Sequence, residues 1–458
     1  MSLFLRSPLS VLLHACFLLM PLTAAADSME DKIQSEKAPV KQLLNQISAQ
    51  RISAYIDKLV GFHTRHTMSE TESETRGIGA ARRWIKAELE RCGAGRLDVR
   101  FDAFVQPVSP RISRPVEIVN VVATLKSRQP SAPVYVVSGH YDSRATDVMD
   151  ASSFAPGAND DASGTAAVME MACVMSKYDF HADIVFMAVA AEEQGLYGAT
   201  HWAQQAKEQQ LPIAGMFTND IIGSSRSDTG QIDRHSVRVF AEGIPSQKEL
   251  SEQNRSLIAT GGENDSISRQ LARHVKEAGE RYVPGFTVNV IQRRDRYLRG
   301  GDHIPFLERG YAALRFTEPN EDFSHQHQDV RTEKGVKIGD LPEFVDAAYT
   351  ADVARINVAA LATLAMAPAA PTSVTMHTAR LENDTTISWN LAQDNHLAGY
   401  RIVWRATDQS QWQGSIYVGK TSGYTVQGKS KDNYFFGVQA VSEDGYTSVA
   451  SYPLPARK

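Results

Sequence analysis

Two short apolar runs, Val134 to Ser138 and Asp183 to Ala190, flank a helical pattern from Gly164 to Lys177. A strand buried on both faces reads as continuously apolar rather than alternating. Two such strands joined by a helix fit neighbouring parallel strands in an α/β sheet. The stretch between and just after them, from Ser138 to Glu193, places a His, an Asp and a pair of Glu residues at turns past strand ends, where open α/β sheets carry their chemistry.

The same alternation extends in both directions. Strand-type runs at Leu97 to Phe104 and Val116 to Leu125 precede the pair, and helical spacing marks Val40 to Val60 and Arg76 to Cys92. Downstream, a helix from Gly195 to Gln209 leads to a strand at Gly215 to Thr218 and another at Val237 to Ala241. A helix at Ser266 to Tyr282, a strand at Thr287 to Ile291, a helix at Asp302 to Glu308 and a strand at Ala312 to Phe316 follow, and a long helix from Leu341 to about Ala365 closes the unit. This predicts one α/β domain over residues 27–366, with a mixed, mostly parallel central sheet flanked by helices. The segment from 27 to about 40 is polar and reads as loose; His63 and His66, in a polar loop, read as surface histidines.

At MAPAAP, Met366 to Pro371, the pattern breaks. Residues 367–371 read as a short semi-rigid linker. Beyond them, TTISWN, GYRIVWRA, SIYVGK and NYFFGVQAVSE alternate with Asp, Asn, Gly and Ser turns, which predicts a small all-β sandwich over 372–458. Trp389, Tyr400 and Tyr434 stand as they do in a fibronectin type III module, which this segment resembles. Such a module implies a spacer, or contact with a surface or polymer.

Residues 1–26 have one basic residue, an apolar core and a small-residue end at Ala24 to Ala26, the pattern of a cleavable export signal rather than a membrane span. Cleavage near Asp27 and a secreted or periplasmic location are the expectation; a lipoprotein anchored at Cys16 is disfavoured by the bulky His14. Losing Arg6 and no acid takes the net charge from -5 to -6. A mildly acidic chain lacks the basic footprint of nucleic-acid or anionic-membrane binding, which leaves small or peptide substrates. Only Cys92 and Cys173 remain after cleavage, and Cys173 sits in an apolar run as a core residue, so cysteine chemistry is not expected; whether the two pair is open.

Hydrolysis without a Cys or Ser nucleophile calls for metal ions, which supply one by lowering the pKa of bound water. Imidazole and carboxylate are the zinc ligands this chain offers: His140, Asp160, Glu193, Asp220 and His325 each follow a predicted strand. Singly each reads as a turn or cap residue; five at one end of one sheet read as a site.

GHYDS, APGANDDASG, AEEQGLYG, Asp220 and FSHQHQD, in this order across residues 40 to 365, resemble the secreted di-zinc aminopeptidases of the zinc exopeptidase superfamily. The resemblance implies two zinc ions per chain: His140 and Asp220 completing one position, Glu193 and His325 the other, Asp160 bridging. It makes Glu192 the general base that takes the water proton and passes it to the leaving amine. Asp142 becomes the partner that orients His140. A cis peptide between Asp160 and Asp161 is also implied. His327 competes with His325, which is preferred for its spacing to Asp329. Asn159 stands where an acid is common, and Gly301 replaces the Ser of a short SDH-type motif, leaving Asp302 as a supporting group or a helix cap.

Hydrolysis of the N-terminal peptide bond of peptides is the activity implied. A zinc carboxypeptidase, a glutaminyl cyclase or an inactive receptor-like binding module are the alternatives. Arg293, Arg294, Arg296 and Arg299 are candidate clamps for a substrate carboxylate, although surface solvation also explains the run. Residue preference and oligomeric state are not encoded legibly.

Overall fold

The computed structural model describes residues 22–129, 132–245 and 250–456. Most of the export signal expected at residues 1–26 therefore lies outside the described residues.

Eight strands form one mixed sheet: β1 (Leu97–Gln106), β2 (Val116–Leu125), β3 (Val134–His140), β4 (Asp183–Val189), β5 (Ile213–Asn219), β6 (Ser236–Ala241), β7 (Thr287–Ile291) and β8 (Ala313–Thr317). Their order is β1-β2-β4-β3-β5-β8-β6-β7. The middle strands β4, β3, β5 and β8 run parallel, and β7 runs parallel to β6; β1, β2 and the β6–β8 pairing are antiparallel. Nothing in an apolar run specifies its direction, and the connections do: the parallel strands are joined through helices.

Among the described residues, ten α-helices accompany these strands: α1 (Leu22–Gln34), α2 (Ala38–Leu44), α3 (Ala49–Val60), α4 (Gly77–Gly93), α5 (Ala162–Met175), α6 (Tyr197–Glu208), α7 (Glu252–Ala259), α8 (Ile267–Tyr282), α9 (Ile304–Glu308) and α10 (Ala347–Ala365). On β3, Tyr135 and Val137 join the core built with α3, α5, α8 and α10, while Val134 and Val136 face Trp202, Ala203 and Phe306 of α6 and α9. Successive strand residues point to opposite faces, so a strand covered on both sides must be apolar throughout. Helix α5 is buried along its whole length and crosses the sheet closely. A Cβ on Gly139 would lie 2.5 Å from the Gly164 carbonyl carbon, and one on Gly164 would lie 2.1 Å from the Asn219 carbonyl oxygen. Glycine at both positions permits that approach.

Several expectations are corrected. The pattern from Val40 to Val60 is two helices, because Ser48 breaks it and caps α3 by accepting the Arg51 N–H. Residues 27 to 34 are helical rather than loose: Glu30 sits 3.2 Å from Arg401 and Lys32 donates to the Glu443 carbonyl. Helix α7 and a hairpin of β9 (Arg331–Glu333) and β10 (Val336–Ile338) were not legible. Cys92 and Cys173 form a disulfide joining α4 to α5. His66 is fully buried, with its ring bonded to the Val148 carbonyl, Gln194 and the Met68 N–H.

After the mixed sheet the chain forms two further sheets. One contains β11 (Thr372–Met376), β12 (Thr385–Asn390), β15 (Gly423–Val426) and β17 (Leu454–Pro455); the other contains β13 (Leu397–Ala406), β14 (Gly414–Gly419) and β16 (Tyr434–Ser442). They share a core of Val374, Ile387, Trp389, Tyr400, Ile402, Phe436 and Val438, with the Trp389 and Tyr400 rings 5.3 Å apart. This β unit is fastened to the α/β unit by buried charges: Asp265 lies 3.1 Å from Arg273 and 2.6 Å from Arg405, and the Arg405 guanidinium lies over Phe435.

Candidate metal centre

The groups that converge do so because each follows the carboxyl end of a parallel strand. His140 ends β3, Glu192 and Glu193 follow β4, Asp220 follows β5, and Asp160 lies in the turn that enters α5. The fifth group comes from the long loop after β8, and there the expectation fails: His327, not His325, enters the cluster. His327 Nε2 is 2.9 Å from Asp160 Oδ2 and 2.9 Å from Glu193 Oε1. His325 instead stacks on Phe344, with ring centroids 3.7 Å apart, and pairs with Asp322. Spacing to Asp329 misleads because Asp329 accepts the Thr146 N–H and leaves both histidines alone. His327 has φ 56°, a left-handed turn that swings its ring inward.

Two overlapping triads result: His140, Asp160 and Asp220, and Asp160, Glu193 and His327. His140 Nε2 is 3.1 Å from Asp160 Oδ1 and 3.9 Å from Asp220 Oδ1. His140 Nε2 and Glu193 Oε1 are buried without a hydrogen bond of acceptable geometry. Burial works against charging either imidazole, yet the surrounding carboxylates override it: Glu193 and Asp160 raise His327 to about 10, and Asp142 and Asp160 lead in raising His140 well above its usual value. Orphaned ligand atoms and crowded carboxylates that raise the neighbouring imidazoles are what a cation-binding donor set looks like, and carboxylate and imidazole are zinc ligands.

The surroundings fix these side chains through backbone. Asp142 is fully buried and accepts the N–H groups of Glu192 at 3.3 Å and Glu193 at 3.1 Å, while His140 Nδ1 lies 3.2 Å from its carbonyl. It thus locks the Glu pair to the end of β3, a supporting role of the kind metal-ligating histidines usually require. Asp161, joined to Asp160 by a cis peptide, accepts N–H groups of His140, Gly164 and Ile221, tying β3, α5 and β5 together. Glu192 is half-buried; desolvation, reinforced by Asp220, Glu193 and Asp302, holds its carboxyl well above the usual range against the pull of His140.

Other contributors left no local signal in the sequence. Asp340 accepts the Asn159 and Asp160 N–H groups at 2.8 and 2.7 Å, and Gln326 donates to Asp160 Oδ2 at 3.0 Å. Fully buried Arg65 bonds the carbonyls of Tyr141, Pro156 and Gly157, bracing the loop that carries Asp160. Asn159 donates to Glu318 at 2.9 Å and accepts the Gly223 N–H at 2.7 Å. An acid there would set two carboxylates face to face. Asp302 is buried with neither carboxylate oxygen hydrogen-bonded, and burial raises it to about 8. It caps no helix: α9 begins after His303 without a side-chain cap.

The candidate carboxylate clamps are occupied. Arg296 and Arg299 both bind Glu321, Arg294 binds Glu308, and Arg293 lies over Tyr297.

The fold and this donor set define a zinc metallopeptidase. Residues 120–335 match the model for Peptidase family M28. A "Probable zinc metalloprotease" of Leptosphaeria maculans is 49% identical over 91% of this chain and 97% of its own length. The chain belongs to this family of M28 zinc metallopeptidases. Among solved structures, LapA of Legionella pneumophila superposes with TM-score 0.52 at 22% identity over 72% of this chain and 77% of its own. An aminopeptidase from Aneurinibacillus sp. strain AM-1 gives TM-score 0.51 at 15% identity, over 71% and 96%. These last two likenesses concern the fold.

Proposed function

We propose that this protein is an exported aminopeptidase that holds two zinc ions and releases the N-terminal residue of peptides. The observation that carries the reading is the pair of triads sharing Asp160, with Glu192 beside them. His140, Asp160 and Asp220 would hold one ion, and Asp160, Glu193 and His327 the other. Bound there, the ions would supply Lewis acidity toward the scissile carbonyl and toward the attacking water.

The chain's own groups do the rest. Glu192, poised by Asp142 through its backbone N–H, takes a proton from the attacking water and delivers it to the departing amine nitrogen. With Arg293, Arg294, Arg296 and Arg299 engaged elsewhere, no clamp for a C-terminal carboxylate remains in that run, which favours recognition of the substrate's free amine over a carboxypeptidase reading.

Export is supported by the Cys92–Cys173 disulfide, a bond that persists in oxidising compartments. The C-terminal β unit is read as a fibronectin type III-like module that stays attached to the peptidase, since Asp265 and Arg405 bury their charges between the two.

The test pairs N-free and N-blocked peptides with an aminoacyl anilide, assayed before and after chelation. Release of the first residue from N-free peptides alone, lost on chelation and restored by zinc, is expected. Equal cleavage of blocked peptides, or turnover indifferent to chelation, would refute the reading.

A further inference from the structure

Arg315 stands in the middle of β8 with no exposed surface, and its guanidinium is spread over groups bordering one triad only. Nη2 is 2.8 Å from Asp220 Oδ1 and 3.4 Å from the Asp220 carbonyl. Nη1 donates to the Gly300 carbonyl at 2.5 Å and lies 3.5 Å from Asp295 Oδ2. Gly301 makes the room: a Cβ there would lie 2.7 Å from Arg315 Nη1 and 3.1 Å from Asp220 Oδ2. A side chain at 301 would have to displace the guanidinium from its present seat.

At the second triad the charged contact is longer and less buried. Glu193 meets a guanidinium at 4.0 Å, that of Arg144, and Arg111 bonds its carbonyl rather than its carboxylate. Asp160 belongs to both triads and cancels from the comparison. The difference is therefore one of distance and burial: the Arg315 guanidinium is fully buried and in charge-assisted contact with Asp220 at 2.8 Å, whereas that of Arg144 stands 4.0 Å from Glu193.

We infer that Arg315, seated by Gly301, is a positioning residue: it aims Asp220 toward His140, and its charge makes the His140–Asp160–Asp220 position the weaker of the two for a divalent cation. The inference rests on the two-zinc reading above. A guanidinium about 1 Å nearer its ligand carboxylate, at an effective dielectric constant of about 20, separates the two affinities by about tenfold.

The experiment is a zinc titration of the full-length, chelator-stripped protein against a chromophoric chelator, with circular dichroism to verify folding. Wild type should show two steps about tenfold apart, and Asp220→Asn should delete the weaker one. Arg315→Met should tighten the weaker step until the two converge, whereas Arg315→Lys, which keeps the charge, should leave it weak. If Arg315→Met does not fold, Arg315→Gln, which removes the charge and keeps a polar side chain, should give the same convergence. Two equal steps in wild type, loss of the tighter step in Asp220→Asn, or a weaker step unmoved in a folded Arg315→Met or Arg315→Gln would overturn the inference while leaving two-zinc binding intact. Binding of one zinc or none by wild type would overturn the two-zinc reading and this inference with it.

Discussion

Replacing both Cys92 and Cys173 by alanine should cost the peptidase unit about 5 kcal/mol. The bond joins residues 81 apart in sequence, bridging α4 to the fully buried α5. In the chain-entropy treatment, a loop of that length removes about 15 cal/mol/K from the unfolded chain, or about 4.5 kcal/mol at 25 °C. Cys173 also packs in the core, so a small further loss follows from the truncated sulfur atoms. The assay is equilibrium urea unfolding of the double variant and of wild type, oxidised and reduced. The reduced wild type should fall close to the variant. A difference below about 1 kcal/mol would refute the argument that this cross-link limits the unfolded chain. With residues 1–26 removed, as the export proposal has it, no thiol should react under denaturing conditions without reductant.

Glu192→Gln should lower kcat by roughly 10²–10⁴-fold, the usual scale for a positioned acid–base group, while zinc content stays at the wild-type level; retained turnover would remove Glu192 from its role. His327→Ala should lose one zinc per chain by elemental analysis and His325→Ala none, with the opposite pattern restoring the ligand suggested by spacing. Burial holds His274, bonded to Thr363 and facing Glu277 and Arg281, down at about 4. Below about pH 6.5 the unfolded chain takes a proton there that the folded chain refuses, so stability falls as pH drops toward 4, by about 3 kcal/mol. His274→Gln should flatten that slope in urea titrations at successive pH values, and an unchanged slope would contradict it.

The sequence was most legible where one local rule decided the outcome. Strand Val116–Leu125 coincides with its β-branched run because a strand covered on both faces must be apolar throughout, and Thr287–Ile291, at the sheet edge, coincides with a run whose first residues alternate exposed and buried. His140, Asp160, Glu193 and Asp220 were visible as ligand-type residues following apolar strands, and the structure brings them together. The choice between His325 and His327 was not legible, since it hangs on a left-handed residue and on Phe344, which takes the ring of His325 from a distant part of the chain. Arg65, Arg315 and Asp340 share that difficulty. Each is a charged residue that an apolar pattern predicts to be exposed, and each is buried because backbone groups or acids far along the chain meet it. His66 was misread for the same reason: its polar neighbours in sequence say nothing of the Val148 carbonyl and Gln194 that enclose it.

The junction with the C-terminal β unit shows the limit of compositional reasoning. MAPAAP reads as a short semi-rigid linker, and composition says nothing of Asp265, Arg273 and Arg405, which place a buried charge network across the boundary. Removing one partner from such a network costs far more than an exposed pair would, which ties the two units into one body.

An anomalous difference map collected at the zinc edge, from crystals of the zinc-loaded protein, tests the central claim most directly. The account predicts two peaks, one enclosed by His140, Asp160 and Asp220 and the other by Asp160, Glu193 and His327. A single peak, or a second peak coordinated by His325, would contradict it.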